Sequence, residues 1–97
     1  MKEIRFNQDK NILLKRVRGV DFNEIKNAIN QGLLVDTIDH YNKSTYQNQK
    51  IFLVQFKKYI FCVPFVEEDA YIFLKTLFPS RKYTKKYYHL ISKNEKK

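Results

Sequence analysis

Cationic and tyrosine side chains interleave in the last part of the chain, after a short polar corner that ends at Arg81. From Arg81 onward there are seven lysine or arginine residues and one acidic residue, which accounts for most of the formal net charge of +9. The interleaved aromatic residues are Tyr83, Tyr87 and Tyr88. Because cations contact phosphates and aromatic rings stack on unpaired bases, this composition is typical of single-stranded RNA binding. The alternative is a solvated helix face with Tyr83 and Tyr87 on its buried side.

The net charge comes from 19 basic and 10 acidic residues and points to a polyanionic partner. RNA, DNA, an acidic protein and a membrane surface all fit that charge. No apolar stretch approaches the roughly 20 residues that a membrane helix needs, so we expect no membrane-spanning segment. The single cysteine, Cys62, lies inside an apolar run. We expect it to be a core side chain in a protein of the reducing cytoplasm.

Motifs that hold metals or nucleotides do not occur in the sequence: it has no glycine-rich phosphate loop, no zinc-spaced Cys/His pair and no HExxH. We therefore expect neither a metal nor a cofactor. The acidic run at residues 67–69 is expected to be a solvated turn. His40 and His89 can each transfer a proton near neutral pH, but the sequence favours a surface or interface position for both.

Two helices are expected near the N-terminus, after a short strand at residues 4–7. The first runs from Lys10 to Arg18, with Asn7 or Asp9 as its N-cap and Gly19 as its left-handed end. One of its faces is apolar and another is polar. The apolar face consists of Leu13, Leu14 and Val17, and the polar face of Asn11, Lys15 and Arg18, with Arg16 at its flank.

The second helix begins at Asp21, which forms a capping-box pattern with Glu24, and it ends at Gly32. Its residues facing the core are predicted to be Phe22, Ile25, Ala28 and Ile29.

Four strands follow, because runs of branched and aromatic residues suit a pleated, half-buried surface. The predicted strands are residues 33–40, 51–57, 59–66 and 71–78, with a polar loop at 41–49. Pro64 cannot donate a ladder hydrogen bond and therefore predicts an edge position or a bulge. A third helix is expected over Lys82–Ile91, with Tyr83, Tyr87 and Leu90 or Ile91 facing the sheet, and the tail Ser92–Lys97 is expected to fray.

The predicted fold is therefore a single α+β domain over residues 1–97, with element order β-α-α-β-β-β-β-α and a mainly antiparallel sheet. In this order the last strand delivers Arg81 to a strand end next to a helix start.

Three stretches resemble the BrnT-like toxins, and together they cover residues 4–88. Residues 10–22 resemble the family's opening signature, in which a basic residue precedes a Gly-Val-x-Phe step into the second helix. The strand pair at residues 49–66 lies where the family has an arginine-rich strand and its neighbour. Ser80, Arg81 and Thr84 resemble the closing Ser-x-Arg-x-x-Thr segment, offset by one residue. Two positions depart from the pattern, since a family histidine is Arg18 and a family arginine is Lys50.

That resemblance implies a fold similar to RelE and a toxin of a type II toxin–antitoxin pair. Such a toxin is a cytoplasmic, metal-independent endoribonuclease that cleaves mRNA, with or without the ribosome, and inhibits translation. Its partner is expected to be a cognate antitoxin of the ribbon-helix-helix type. Operator DNA is contacted only indirectly, through that antitoxin.

A metal-free ribonuclease needs a base for the RNA 2′-OH, cations for the phosphate and an acid for the leaving oxygen. Arg81 is the expected phosphate clamp, because a guanidinium matches two phosphate oxygens at once. Lys15 and Arg18 are the further catalytic cations, and Tyr83 and His40 are candidates for proton transfer. The expected RNA-binding residues are Arg16, Lys82, Lys85, Lys86, Tyr87 and Tyr88.

Two other hypotheses fit the same residues. A non-catalytic module can use the basic face to bind RNA, DNA or an acidic protein, and a purely structural accessory domain needs no ligand at all. Steep salt dependence of binding without cleavage would favour the binding module.

Overall fold

The structure is a computed structural model that describes residues 2–40, 42, 44–45 and 48–95, with residues 92–95 described by their backbone alone. Its strands are β1 (Glu3–Phe6), β2 (Leu34–Asp39), β3 (Gln49–Phe56), β4 (Tyr59–Glu67), β5 (Tyr71–Leu74) and β6 (Phe78–Ser80). Its helices are α1 (Gln8–Arg18), α2 (Phe22–Asn30), α3 (Arg81–Lys86) and α4 (Tyr88–Glu95). Of the predicted loop at 41–49, residues 41, 43, 46 and 47 lie outside the described residues, and Gln49 already belongs to β3.

One sheet contains all six described strands, in the order β1-β5-β4-β3-β2, with β6 also paired to β4. The pair β1 and β5 is parallel, and the other pairs are antiparallel. The α+β class and the mainly antiparallel sheet are therefore confirmed. The predicted element order is wrong at its end, because the last strand and the last helix are each divided in two. Among the described residues, no helix is long and apolar enough to cross a membrane.

Alternation along β3 and β4 gives the sheet two buried faces, since neighbouring residues of a strand point to opposite sides. On the first face, Phe52, Val54, Phe61 and Val63 pack with residues of α1 and α2. On the second face, Ile51, Leu53, Ile60 and Cys62 pack with Tyr83, Tyr87 and Ile91 of the C-terminal segment. The sheet is therefore a layer between two helix pairs, and it separates α1 from α3.

Local capping sets the end of α1 and the start of α2 as the sequence predicts, whereas α1 begins at Gln8 rather than Lys10 and α2 ends at Asn30, with Gln31 as its C-cap, before the predicted Gly32. The side chain of Asn7 accepts a hydrogen bond from the Lys10 N–H (2.9 Å), and Gly19 ends α1 in the left-handed region at φ 75°. Asp21 and Glu24 form the predicted capping box, with the Asp21 carboxylate accepting from the Glu24 N–H at 2.9 Å. All four residues predicted to face the core from α2 are buried.

The predicted apolar face of α1 is correct for Leu14 and wrong for Leu13 and Val17. Asn11 and Leu14 are the buried residues of this helix, whereas Leu13 and Val17 are exposed. The reason is a tertiary contact: the Asn11 side-chain oxygen accepts a hydrogen bond from the Phe22 N–H at 2.7 Å. The first N–H groups of a helix lack an intrahelical partner, so this contact orients α1 to satisfy the start of α2.

The predicted strand at 71–78 is also interrupted. β5 pairs with the end of β4, Leu74 opposite Phe65, while β6 pairs with its start, Phe78 opposite Cys62. Pro64 lies between these two pairings, in an inner strand rather than at an edge. Its carbonyl accepts from the Lys75 N–H (2.8 Å), and the nitrogen of a strand residue points to the same side as its carbonyl. The missing donor thus faces the break between β5 and β6.

The single helix predicted over Lys82–Ile91 is two helices. The first, α3, begins at Arg81, one residue before the predicted start, and Ser80 is its N-cap. Tyr87, with φ −104° and ψ 20°, separates α3 from α4. Tyr83, Tyr87 and Ile91 pack on the second sheet face as predicted, whereas Leu90 is partly exposed. In the tail Ser92–Lys97, the backbone is helical up to Glu95, and Lys96 and Lys97 lie outside the described residues.

Candidate nucleic-acid interface

Arg81 is held at the corner where β6 ends and α3 begins. The Ser80 hydroxyl oxygen accepts a hydrogen bond from the Tyr83 N–H at 3.2 Å, which caps α3. The Thr84 hydroxyl donates to the Ser80 carbonyl (2.5 Å) and accepts from the Ile60 N–H (2.9 Å). Thr84 therefore ties the first turn of α3 to the start of β4. The serine and threonine of the Ser-Arg-x-x-Thr segment thus position the arginine between them.

Arg81 lines an open groove of about 370 Å³, which we name the tyrosine–arginine groove. The residues lining it are Tyr59, Arg81, Thr84, Lys85 and Tyr88. Tyr59 is 45% exposed and Tyr88 is 64% exposed, so both rings are accessible. Within the described part of the chain, the Arg81 guanidinium has no hydrogen-bond or ion-pair partner. The groove thus combines two cations with two accessible aromatic rings.

Sequence reasoning missed Tyr59 as a member of this site. It is the first residue of β4, directly after the two-residue turn formed by Lys57 and Lys58. Register places it next to the corner, because Ile60 pairs with Ser80. Its position between a lysine pair and an apolar strand was the available signal. The sequence separation of 22 residues from Arg81 hid the contact.

Tyr83 and Tyr87 do not line the groove. Both are partly buried against the second sheet face, so the core alternative describes them correctly. The Lys82 ammonium lies 5.3 Å from the ring centre of Tyr83, and the Lys86 ammonium lies 5.4 Å from that of Tyr87. The Tyr87 hydroxyl donates to the Asp36 carboxylate at 3.4 Å. These contacts leave the lysines exposed on the outer side of α3, where they add positive charge beside the groove.

The cations of α1 lie on the other face of the sheet. Lys15 forms an ion pair with Glu24 at 2.7 Å, and this hydrogen bond raises the pKa of Lys15 and lowers that of Glu24. Lys15 therefore links the end of α1 to the start of α2. Arg16 and Arg18 are exposed. The structure does not bring Lys15, Arg16 or Arg18 together with Arg81.

His40 is buried (7% exposed), so the predicted surface or interface position is wrong for this residue. Its Nδ1 accepts a hydrogen bond from the Asn42 N–H at 3.1 Å. The backbone N–H of His40 donates to the carbonyl of Gln49 at the start of β3, whereas Tyr59 in the groove pairs with Phe56 at the end of β3. The seven steps between the first and last of the eight residues of β3, at roughly 3.3 Å each, separate the two ends by about 23 Å. His40 therefore lies far from Arg81. His89 is exposed on α4.

Other reactive groups lie outside the groove. Burial raises the pKa of the Cys62 thiol, which keeps it protonated and unreactive, as expected for a core side chain. The acidic residues Glu67 and Glu68 are exposed at the end of β4. Among the described residues, no group of three His, Cys, Asp or Glu side chains could hold a metal ion.

Comparison with models of known families, with curated proteins and with solved structures finds no match for this chain. The site is therefore defined by its own geometry: an arginine with a rigid backbone position, a second cation and two accessible tyrosines.

Proposed function

We propose that the protein is the toxin of a type II toxin–antitoxin pair and acts as an endoribonuclease on mRNA, with a fold similar to RelE. The observation that carries the proposal is the tyrosine–arginine groove, in which the unpartnered Arg81 guanidinium shares one cleft with two accessible tyrosine rings. A planar cation binds phosphate bidentately, and tyrosine rings stack on unpaired bases. The BrnT-like sequence pattern supports the toxin assignment.

In the proposed reaction, the RNA 2′-OH loses its proton and attacks the adjacent phosphorus, and the bond to the 5′ oxygen breaks as that oxygen is protonated. Arg81 and Lys85 neutralise the charge that grows on the phosphate oxygens. The phenols of Tyr59 and Tyr88, together with the side-chain amine of Lys85, are the titratable groups in the groove that can give or accept a proton. No step needs a metal or an organic cofactor.

The partner in this proposal is a cognate ribbon-helix-helix antitoxin, through which operator DNA is contacted indirectly. The protein acts in the cytoplasm on mRNA, either free or on the ribosome. The strongly basic composition, with a net charge of +9, suits both an RNA substrate and an acidic protein inhibitor.

Arg81→Ala is expected to abolish growth arrest and to lower the cleavage rate by about 100-fold or more, because a cation that stabilises transition-state charge is lost. Growth and mRNA integrity are followed together after induced expression in a bacterial host. Arg16→Ala is the matched control, since it removes an exposed arginine on the other sheet face. Full toxicity in a folded Arg81→Ala protein contradicts the site.

A second candidate function is RNA binding without cleavage. It is favoured by one observation: the groove residues include no carboxylate and no imidazole to activate a 2′-OH. Steeply salt-dependent binding of single-stranded RNA, with intact RNA after prolonged incubation, would establish this function instead.

A further inference from the structure

The two-residue turn between β3 and β4 has an unfavourable backbone conformation. Lys57 has φ 50° and Lys58 has φ 70°, and among the described residues they are the ones other than glycine with positive φ. Hairpin turns of this kind normally carry asparagine, aspartate or glycine, which adopt positive φ at little cost. Lysine has neither a short polar side chain nor a missing Cβ to ease this conformation. What the two lysines add to the turn is therefore charge and reach.

This turn, which we name the lysine turn, adjoins the tyrosine–arginine groove. Tyr59 of the groove directly follows Lys58, and it pairs with Phe56 across the hairpin. Side chains of directly paired residues are neighbours on one side of a sheet. The Lys57 ammonium lies 5.4 Å from the centre of the Phe56 ring. The charge of the lysine turn thus lies beside an aromatic ring of the groove.

The two ends of the β3–β4 hairpin differ in charge. At the turn end, the two lysines of the turn are joined by Arg81 and Lys85 of the groove. At the other end, the exposed Glu67 and Glu68 outnumber the exposed Lys50. A groove surrounded by one sign of charge attracts ligands of the opposite sign. The turn end therefore favours an anionic ligand.

One carboxylate lies close enough to the lysine turn to interact with it. This is Glu24 of α2, whose pKa is lowered mainly by its hydrogen bond from Lys15 and least by the charge of Lys57. The Glu24 carboxylate is already bound, since it accepts from the Lys15 ammonium at 2.7 Å and from the Asp21 N–H at 3.1 Å. Within the described residues, Lys57 itself forms neither a hydrogen bond nor an ion pair. Its ammonium is therefore available to an anionic ligand.

We infer that the lysine turn binds backbone phosphates of a single-stranded RNA whose bases stack in the tyrosine–arginine groove. The inference rests on the proposed function and extends its substrate beyond the nucleotides that the groove itself holds. Ammonium groups on long, flexible side chains contact phosphates as point charges, which adds affinity that depends strongly on salt. An acidic protein segment also carries negative charge, but the accessible tyrosine rings beside the turn favour a ligand with bases to stack.

The test uses Lys57→Asn/Lys58→Gly, which places the favoured residues in the turn and removes two charges. Binding of a labelled single-stranded RNA of about ten nucleotides is measured by fluorescence anisotropy at several salt concentrations. We expect binding to weaken by about tenfold or more at low salt, and the slope of log Kd against log salt to fall by about 1.4, because each phosphate contact contributes roughly 0.7. The melting temperature should rise by about 4 °C or more, because the strain is relieved.

Two further variants serve as controls for this test. Lys50→Asn/Lys75→Asn removes the same charge from two exposed lysines away from the turn and should bind like the wild type. Lys57→Arg/Lys58→Arg keeps the charge of the turn and should also bind like the wild type. A turn variant that is more stable but binds RNA more weakly separates a role in binding from a structural role.

The inference is overturned if the turn variant binds RNA with the affinity and salt slope of the wild type, and the proposed function then stands. It is also overturned if the Lys50→Asn/Lys75→Asn control weakens binding equally, because the effect would then be one of net charge. A wild-type protein that binds polyglutamate and not RNA would overturn both the inference and the proposed function. Weaker binding by the turn variant to RNA that the wild type leaves intact would support the inference and remove only the cleavage activity.

Discussion

At the scale of single residues, the candidate site depends on how Arg81 is presented. The two hydrogen bonds of the Thr84 hydroxyl, to Ser80 and Ile60, fix the corner from both sides. Arg81 itself makes no such contact within the described residues, so its guanidinium remains available. A site residue that is anchored by its backbone and unpaired at its side chain can bind a ligand without first breaking an interaction.

Two variants of Tyr59 distinguish a role in RNA binding from a role in proton transfer. Tyr59→Ala should weaken binding of single-stranded RNA by about 1–3 kcal/mol, the usual contribution of one stacked base. Tyr59→Phe keeps the ring and should bind normally. Fluorescence anisotropy with a short labelled RNA measures both variants. Loss of cleavage in Tyr59→Phe with unchanged affinity would assign the phenol to proton transfer, and unchanged binding in Tyr59→Ala would remove Tyr59 from the site.

At the scale of secondary structure, two local signals fix the corner between α1 and α2: one ends α1 and the other begins α2. Gly19 ends α1 with positive φ, and the Asp21–Glu24 capping box begins α2 two residues later. The Lys15–Glu24 ion pair and the Asn11–Phe22 hydrogen bond then join the two helices. This corner orients α1, and therefore decides that Leu13 and Val17 face solvent.

Gly19→Val should lower the free energy of unfolding by about 1–2 kcal/mol, because a β-branched residue disfavours the left-handed region. No atom lies within 4 Å of the added Cβ position, so the cost arises from the backbone alone. Gly19→Asn is the control and should cost less, since asparagine tolerates this conformation. Chemical denaturation followed by circular dichroism measures both. Equal stability of Gly19→Val and wild type would contradict the backbone argument.

At the scale of the whole molecule, the sheet divides the protein into two surfaces. The tyrosine–arginine groove lies with α3, and the cations of α1 lie on the other side. The sheet also sets distance along its strands, so that His40 and Arg81 lie near opposite ends of β3. The cations of α1 and Arg81 at the start of α3, which the sequence predicts to act together, therefore lie on different surfaces of the protein.

His40→Gln should leave RNA cleavage and binding unchanged, because about 23 Å of strand separates this position from the groove. A modest loss of thermal stability is expected, since the buried imidazole accepts a hydrogen bond from Asn42. Cleavage rate and melting temperature are measured on the same preparation. A large fall in cleavage with unchanged melting temperature would return His40 to the catalytic set.

The sequence by itself determined the features that depend on residues three or four apart. These are the Asp21 cap of α2, the glycine end of α1, the core-facing side of α2 and the placement of Arg81 between a strand and a helix, whereas the choice of Asn7 over Asp9 as the cap of α1 was decided by the structure. Each depends on a local hydrogen bond or backbone conformation that the residue types predict. The α+β class followed from the order of these elements.

Only the tertiary structure decided which residues meet. A hydrogen bond across 11 residues turned α1 so that Asn11 is buried and Leu13 exposed. The register of β4 with β6 brought Tyr59 to Arg81, and the break opposite Pro64 divided the predicted last strand. The two buried sheet faces separated Lys15 and Arg18 from Arg81. These outcomes depend on long-range packing and strand register, whose energies are distributed over many residues and are not encoded in any one stretch.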